Sequence, residues 1–323
     1  MAPRVSIDPS IVLRGILLAL AGSAVLSVND VSIKFLSGSY ALHQVILTRS
    51  GIGIVALVLT VIASGQGVRS LRTARWREHL VRVSFVMVSN VSYFLGLAAL
   101  PLADAVAIAF VGPLIVTTLS VLVLREKVGP WRWGAVAVGM AGVVVMLRPG
   151  ADAFRPAALL VLLSALCYAS THMMTRRMRA TESAFALNFY VQCGFIVVST
   201  TMGLSVGDGR FAGSANPSLA FLLHAWVWPP VADWPVFLAT GLSVAFGGLM
   251  IAQAYRLCEA AVVAPFEYAA MPLAIVWGVL VFGTWPDAVA WLGIGLICGA
   301  GLFTLWRETR KKEVRDAGRG GDL

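Results

Sequence analysis

The side chains most able to do chemistry in this chain are ionisable groups placed inside long apolar segments. In lipid such a group is costly, so each is a candidate for contacting a polar solute. Asp30 and Arg49 have opposite charges and lie at similar depths in the first two segments, and Lys34 follows Asp30 by one helical turn. Asp30 can therefore pair with Lys34 in a structural role or with Arg49 beside a cavity. For Lys34, whose long side chain can reach the membrane surface, we favour the structural role.

A second carboxylate, Glu267, lies in the segment APFEY (264–268). It could bind the amine of a substrate or carry a coupling proton, and we predict that it lines a cavity and is needed for transport. Alternatively, N–H groups at a helix end or His172 hold it, and it only fixes its helix. The complete set of predicted cavity residues is Asp30, Arg49, Asn90, Tyr93, Tyr168, His172, Gln253, Glu267, Tyr268 and Trp277.

The same inventory disfavours other function classes. A membrane-embedded enzyme needs clustered histidines, a nucleophile with its base or an acidic metal motif. The four histidines are not at ligand spacing, there is no phosphate-binding loop, and the four cysteines form no C-x-x-C pair. A channel predicts a ring of repeated polar groups, which is not seen. We therefore predict no catalytic residue, no metal and no cofactor, and a protein that is not an enzyme.

About ten apolar stretches of roughly 17–25 residues position these side chains. Hydrophobic residues make up 59% of the chain and charged residues 13%, and the mean hydropathy is +0.83. Because lipid offers no partner to backbone N–H and C=O groups, each stretch must form a helix. We expect an all-α integral membrane protein with ten transmembrane helices. They begin near Ile11, Leu42, His79, Asp104, Trp131, Pro156, Ala184, Trp234, Val262 and Pro286.

The formal charge of +9 is distributed very unevenly. Basic residues concentrate in 69–82, 125–132, 176–179 and 307–319, whereas the alternate loops carry only Lys34, Arg148, Arg155 and Arg210. The positive-inside rule then places both termini in the cytoplasm and the protein in the inner membrane. Because the basic residues are confined to loops next to the membrane, we predict contact with membrane lipid and not with nucleic acid. The other predicted partner is a small-molecule substrate. We expect the protein to be a monomer or a weak homodimer. We expect the basic tail to be disordered.

Shifting the chain by 159 positions aligns 103–142 with 262–301 and superposes Pro113 on Pro272. Five helices per half is an odd number, so the second half would enter the membrane from the opposite side. Such inverted repeats are common in secondary transporters. Pro113 and Pro272 are expected near the middles of the fourth and ninth helices, where they are hinge candidates, and the alternative is a static kink that shapes the bundle. The predicted organisation is a cytoplasmic segment 1–10, a first repeat 11–150, a second repeat 151–306 and a basic cytoplasmic tail 307–323. The loop 206–233 is expected outside the cytoplasm as an aromatic interfacial anchor, with a lid as the less favoured alternative.

Residues 98–150, AALPLADAVAIAFVGPLIVTTLSVLVLREKVGPWRWGAVAVGMAGVVVMLRPG, resemble the EamA domain of the drug/metabolite transporter superfamily. Arg49 also fits that pattern, whereas Trp285 replaces the turn glutamate that matches Glu126 in the first half. The resemblance implies two five-helix EamA repeats of inverted topology around a central cavity. It suggests export of amino acids, as in YddG-like members. The alternative is uptake of a cofactor-like metabolite such as S-adenosylmethionine or riboflavin.

Overall fold

The computed structural model describes residues 9–65, 67–112, 114–115, 118–119, 130–147, 155–178, 181–257, 266–267 and 269–318. Within these ranges the regular structure is entirely helical, with 3-10 turns at Val68–Leu71 and Val231–Asp233. The α-helices are α1 (Pro9–Leu36), α2 (Leu42–Ala63), α3 (Trp76–Ala99), α4 (Leu102–Ala109), α5 (Pro130–Leu147), α6 (Ala157–Met178), α7 (Ala184–Val206), α8 (Pro217–Leu223), α9 (Trp234–Leu257), α10 (Ala270–Phe282) and α11 (Ala288–Gly318).

Five stretches of the described chain are long and apolar enough to cross a membrane. They are Leu13–Leu36, Leu42–Ala63, Trp76–Ala99, Ala184–Val206 and Val231–Ile251, and shorter apolar helices cover Trp133–Met146, Ala157–Thr171, Ala270–Phe282 and Ala288–Phe303. The protein is therefore an all-helical, multi-pass membrane protein. The number of ten crossings stays a prediction. The short helix α8 was not predicted.

The helices pack in a pattern with approximate twofold symmetry. Helix α1 packs along α9 and α3 packs along α6, while α5 packs on α11, α2 on α7 and α4 on α10. If α1–α5 are matched in order with α6, α7, α9, α10 and α11, the α1–α9 pair maps onto the α6–α3 pair. Each of the other three pairs maps onto itself. The two sets of five helices therefore contact each other in equivalent ways.

Two expectations about helix boundaries change. Pro272 occupies the first turn of α10, where the N–H that proline lacks would have no partner within the helix. Its expected position near the middle of a helix is therefore wrong, whereas Pro113 lies outside the described residues. Helix α11 continues to Gly318, so the expectation of disorder from residue 307 is wrong up to that residue.

Candidate functional site

Asp30 of α1 lies in a network of polar side chains that joins three helices. The Tyr93 hydroxyl of α3 donates to Oδ2 of Asp30 at 3.0 Å, and the Asn29 amide donates to Oδ1 at 3.1 Å. Nη1 of Arg49 in α2 donates to Oδ1 of Asn29 at 3.4 Å. The carboxylate and the guanidinium attract each other electrostatically, but they are connected through Asn29 and not through a direct ion pair. We call these four residues the Asp30 network.

Arg49 is 1% exposed and stands between two aromatic rings. Its guanidinium carbon lies 5.3 Å from the centre of the Phe94 ring and 5.2 Å from that of Phe195. Both distances suit cation–π contacts, which replace part of the hydration that the charge has lost. Sequence reasoning missed Asn29, Phe94 and Phe195. A phenylalanine in an apolar helix carries no signal that its ring faces a cation on another helix.

Lys34 binds the end of α3, not Asp30. Its ammonium group donates to the carbonyl oxygens of Leu97 at 2.8 Å and Leu100 at 2.5 Å. The last carbonyls of a helix have no partner within the helix and carry partial negative charge, so a lysine there is stabilising. This arrangement supports the structural role. Nearby, the buried Asp104 carboxylate at the start of α4 accepts a hydrogen bond from Arg155.

In the second half, Tyr168 of α6 is 46% exposed and interacts electrostatically with Glu267 and with Arg82. Arg82 of α3 also donates to Oγ1 of Thr175 at 2.8 Å and to the carbonyl of Leu187 at 3.0 Å. Glu267 and Tyr168 thus lie close together, near a cation from the first half.

Three of the remaining predicted cavity residues, Asn90, Trp277 and Gln253, do not join either group. Asn90 donates to the Val86 carbonyl of its own helix at 3.0 Å, and Trp277 donates to the hydroxyl of Ser27 at 3.1 Å. Gln253 has an exposed side chain on α9. The side chain of His172 and the whole of Tyr268 lie outside the described residues, so neither can be placed against Glu267.

The loop 206–233 is fastened to the start of α2. The Tyr40 hydroxyl donates to the Asp233 carboxylate, and burial together with that carboxylate raises the pKa of Tyr40 to about 12. The Gln44 amide donates to the carbonyl of Val227 at 2.6 Å and accepts from its N–H at 3.2 Å. We call these four residues the Tyr40 latch. The loop therefore covers helix ends as well as presenting exposed tryptophans such as Trp228.

A second latch joins the start of α3 to the connection between α6 and α7. Oε2 of Glu182 lies 3.0 Å from Nε2 of His79, and the two side chains are 4% and 3% exposed. Oε1 of the same carboxylate accepts a hydrogen bond from Thr73 at 2.8 Å, and the His79 ring packs on Tyr190 with 4.4 Å between ring centres. We call Glu182, His79 and Thr73 the Glu182 latch. Sequence reasoning did not single out Glu182, because a carboxylate in a short connection is usually exposed.

Comparisons with known proteins agree with this architecture. The chain is 31% identical over 294 residues to a riboflavin transporter of Vibrio cholerae, covering 90% of this chain and 92% of that protein. It is 26% identical over 298 residues to an S-adenosylmethionine uptake transporter of Rickettsia prowazekii, covering 92% and 94%. A solved crystal structure superposes with a TM-score of 0.60 at 20% identity, covering 90% of this chain and 95% of that chain, which establishes a shared fold.

Residues 13–148, most of the first half, match the family described as EamA-like transporter family. The relatives extend the likeness over both halves of the chain. The first half contains the stretch on which the resemblance rested, together with Asp30 and Arg49. The protein belongs to the EamA-like transporter family of the drug/metabolite transporter superfamily.

Proposed function

We propose that this transporter carries a cofactor-like metabolite with a planar heterocyclic ring across the cytoplasmic membrane, and that riboflavin is the first candidate. The names of the two relatives supply the substrate class: one is a riboflavin transporter and the other an S-adenosylmethionine uptake transporter. Neither name refers to the export of free amino acids. Amino acid export, the first expectation from the sequence, is therefore replaced by its alternative.

The observation that carries the proposal is the Asp30 network and the aromatic rings beside it. Small-molecule sites are mainly apolar and aromatic, with a few polar groups that fix orientation. Here Asp30, Asn29 and Tyr93 offer donors and acceptors, while Phe94 and Phe195 flank Arg49. A ring system with polar substituents matches this combination better than a small amino acid does.

S-Adenosylmethionine is the second candidate, and a different observation favours it. It carries a sulfonium cation and an amino group, and two carboxylates, Asp30 and Glu267, lie in the helical bundle. A carboxylate within a membrane protein is a natural partner for such a cation. Riboflavin has no positive charge and would not need Glu267.

The twofold packing pattern supports alternating access as the transport mechanism. Equivalent contacts between two five-helix sets support an inverted repeat, in which the two halves exchange conformations and expose a central site to each side in turn. The charge distribution supports cytoplasmic termini. The chain has no nucleotide-binding motif, so any concentrative transport would be coupled to protons or ions.

Uptake into liposomes containing the purified protein tests the proposal. We expect saturable entry of labelled riboflavin, displaced by unlabelled riboflavin and not by amino acids. Asp30→Asn should lower the rate by about tenfold or more, as for the loss of a polar contact in a buried site. Asp208→Asn, which changes a carboxylate with a 60% exposed side chain, is the matched control and should be neutral.

A parallel uptake experiment uses labelled S-adenosylmethionine. If that compound is the substrate, Glu267→Gln should abolish its uptake, whereas riboflavin uptake should survive the same change. Entry of neither compound above the rate of empty liposomes would contradict the proposed function.

A further inference from the structure

The interface between α2 and α7 contains buried polar atoms without hydrogen-bond partners. Gln192 of α7 is 1% exposed, and neither its Nε2 nor its Oε1 has a partner. On α2, the same is true of Oγ of Ser50, at 0% exposure, and of Nε of Arg49, at 1%. Four unpaired polar atoms therefore lie on these two packed helices.

The Gln192 amide packs tightly against α2. A Cβ atom added at Gly53 of α2 would lie only 2.6 Å from Nε2 of Gln192, so the amide sits directly against the backbone of α2. Phe195 follows Gln192 by one turn of α7, and its ring contacts the guanidinium of Arg49. The amide, the guanidinium and the ring therefore share one region, which we call the α2–α7 seam: Arg49, Ser50, Gln192 and Phe195.

The seam is closed in this conformation. The small cavity next to it, lined by residues such as His43, Ile46, Phe195 and Ser199, has room for about one water molecule and no organic ligand. Buried polar groups are nearly always paired in native proteins, and an apolar side chain would pack here at lower cost. A helix interface that keeps an unpaired amide is therefore poorly explained by packing alone.

We propose that the α2–α7 seam opens during transport and that Gln192 binds the polar edge of the substrate ring. The amide presents a donor and an acceptor side by side, which pair with a ring edge that offers an acceptor next to a donor. The imide edge of a flavin and the amine edge of adenine both have this pattern. Phe195 lies one turn from Gln192 on α7, and its ring can stack on either heterocycle. This inference rests on the proposed function, since both heterocycles come from the substrate class named there.

The first test needs no substrate and uses the thermal stability of the purified protein. Gln192→Met keeps an unbranched side chain and removes the unpaired amide, so we expect an unchanged or higher Tm. Thr240→Val is the matched control, because this hydroxyl is 0% exposed and donates to the carbonyl of Phe237 at 2.8 Å; we expect it to lower the Tm. A drop in the Tm of Gln192→Met as large as that of Thr240→Val would mean that the amide is satisfied within the protein, and would overturn the proposal.

The second test measures whether Gln192 recognises the polar edge of the substrate ring. In liposomes with wild-type protein, riboflavin should compete with labelled riboflavin at least about tenfold better than 3-methylriboflavin, whose imide N–H is blocked. In Gln192→Met the two compounds should differ by less than about threefold. The second arm of the test uses adenosine and N6,N6-dimethyladenosine as competitors of labelled S-adenosylmethionine. If the wild type discriminates only between these two compounds, the ring that Gln192 binds is adenine.

The outcomes separate the two proposals. Uptake of either substrate with no discrimination by the wild type, or with discrimination that survives in Gln192→Met, overturns the role of the seam and leaves the proposed function intact. Uptake of neither substrate contradicts the proposed function and the ring-edge assignment together. The stability result then still decides whether the amide is unpaired.

Discussion

The Tyr40 latch and the Glu182 latch occupy equivalent places in the twofold arrangement, but they are built from different chemistry. Matching the two sets of helices places the connection that contains Tyr40 on the connection that contains Glu182. It also places the loop with Val227 and Asp233 on the segment with Thr73 that leads into α3. Each latch therefore ties the start of the second helix of one set to the segment before the third helix of the other set.

The two latches differ in what holds them. Gln44 of the Tyr40 latch binds both backbone groups of Val227, and the second contact joins a phenol to a carboxylate. In the Glu182 latch a carboxylate binds only side chains, and one of them is a histidine. The Tyr40 latch thus holds the backbone of its loop, whereas the Glu182 latch holds side chains only.

The largest expected effect concerns which side of the membrane each latch faces. Ala215 lies in the loop of the Tyr40 latch, Ala74 lies beside Thr73, and both residues are exposed. The test uses the two variants Ala215→Cys and Ala74→Cys. Because of the charge distribution, an impermeant maleimide added to intact cells should label the first cysteine and not the second. Inverted vesicles should give the reverse, and the wild type measures background labelling. Labelling of both cysteines from one side would place the two latches at the same end and refute the inverted repeat.

The next effect in size is the loss of Glu182. Glu182→Ala removes the carboxylate from a buried pair and leaves His79 and Thr73 without their partner. Breaking a buried pair from one side typically costs about 3 kcal/mol, so the Tm of the purified protein should fall by several degrees. Glu78→Ala is the control, since its contact with Arg75 at 3.1 Å joins side chains that are 25% and 35% exposed. It should cost less than about 1 kcal/mol.

Equal losses in the two variants would mean that the Glu182 latch is no stronger than a surface ion pair. The double variant with His79→Ala refines the test. If the His79–Glu182 contact carries most of the loss, the second substitution should add little to the first. Additive losses would show that Thr73 or packing, and not the histidine, holds the carboxylate.

Tyr40→Phe should have a smaller effect, about 2 kcal/mol for one hydrogen bond to a charged group. The raised pKa fixes the sign of the pH dependence. Because the folded value is about 12 against an ordinary 10, the contribution is complete below the ordinary value and is lost as the pH rises through the folded value. The drop in Tm relative to wild type should therefore be equal at about pH 6 and about pH 9. A drop that vanishes by about pH 9 would show that the phenol ionises early.

The sequence predicted the helices well and the latches not at all. Starts at Leu42, Ala184 and Trp234 coincide with helix starts in the structure, because a long uncharged run has only one way to satisfy its backbone in lipid. The error at Pro272 has the same origin: hydropathy is continuous across the residues before Ala270, so it does not mark where α10 begins. Helix α8 had a signal that was overlooked, since Asn216 caps it and Pro217 follows as its first residue.

The sequence predicted the depth of the candidate site's charged residues but not which neighbours surround them. The depth of Asp30 and Arg49 follows from counting residues along two helices, so their proximity could be expected. The position of Asn29 between them, and of Phe94 and Phe195 around the guanidinium, depends on the rotation of helices about their axes. With helices that are apolar on nearly every side, the sequence contains little information about that rotation. The pairing of Glu182 with His79 depends on it in the same way.

The smallest expected effect compares the latches with the Asp30 network, which lies on the helices between them. In the Glu182 latch the two ionisable groups touch, whereas Asn29 separates Asp30 from Arg49. A mediated contact should couple more weakly, at about 1 kcal/mol in a double-mutant cycle with Asp30→Asn and Arg49→Gln. Each single variant leaves the other charge in a poorly hydrated place. The double variant should therefore lose less stability than the sum of the losses in the two single variants. The Tm values of the four proteins measure the coupling, and Asn29→Leu should reduce it towards zero. Strictly additive effects would show that the two charges act independently, and that Arg49 is held by Phe94 and Phe195 alone.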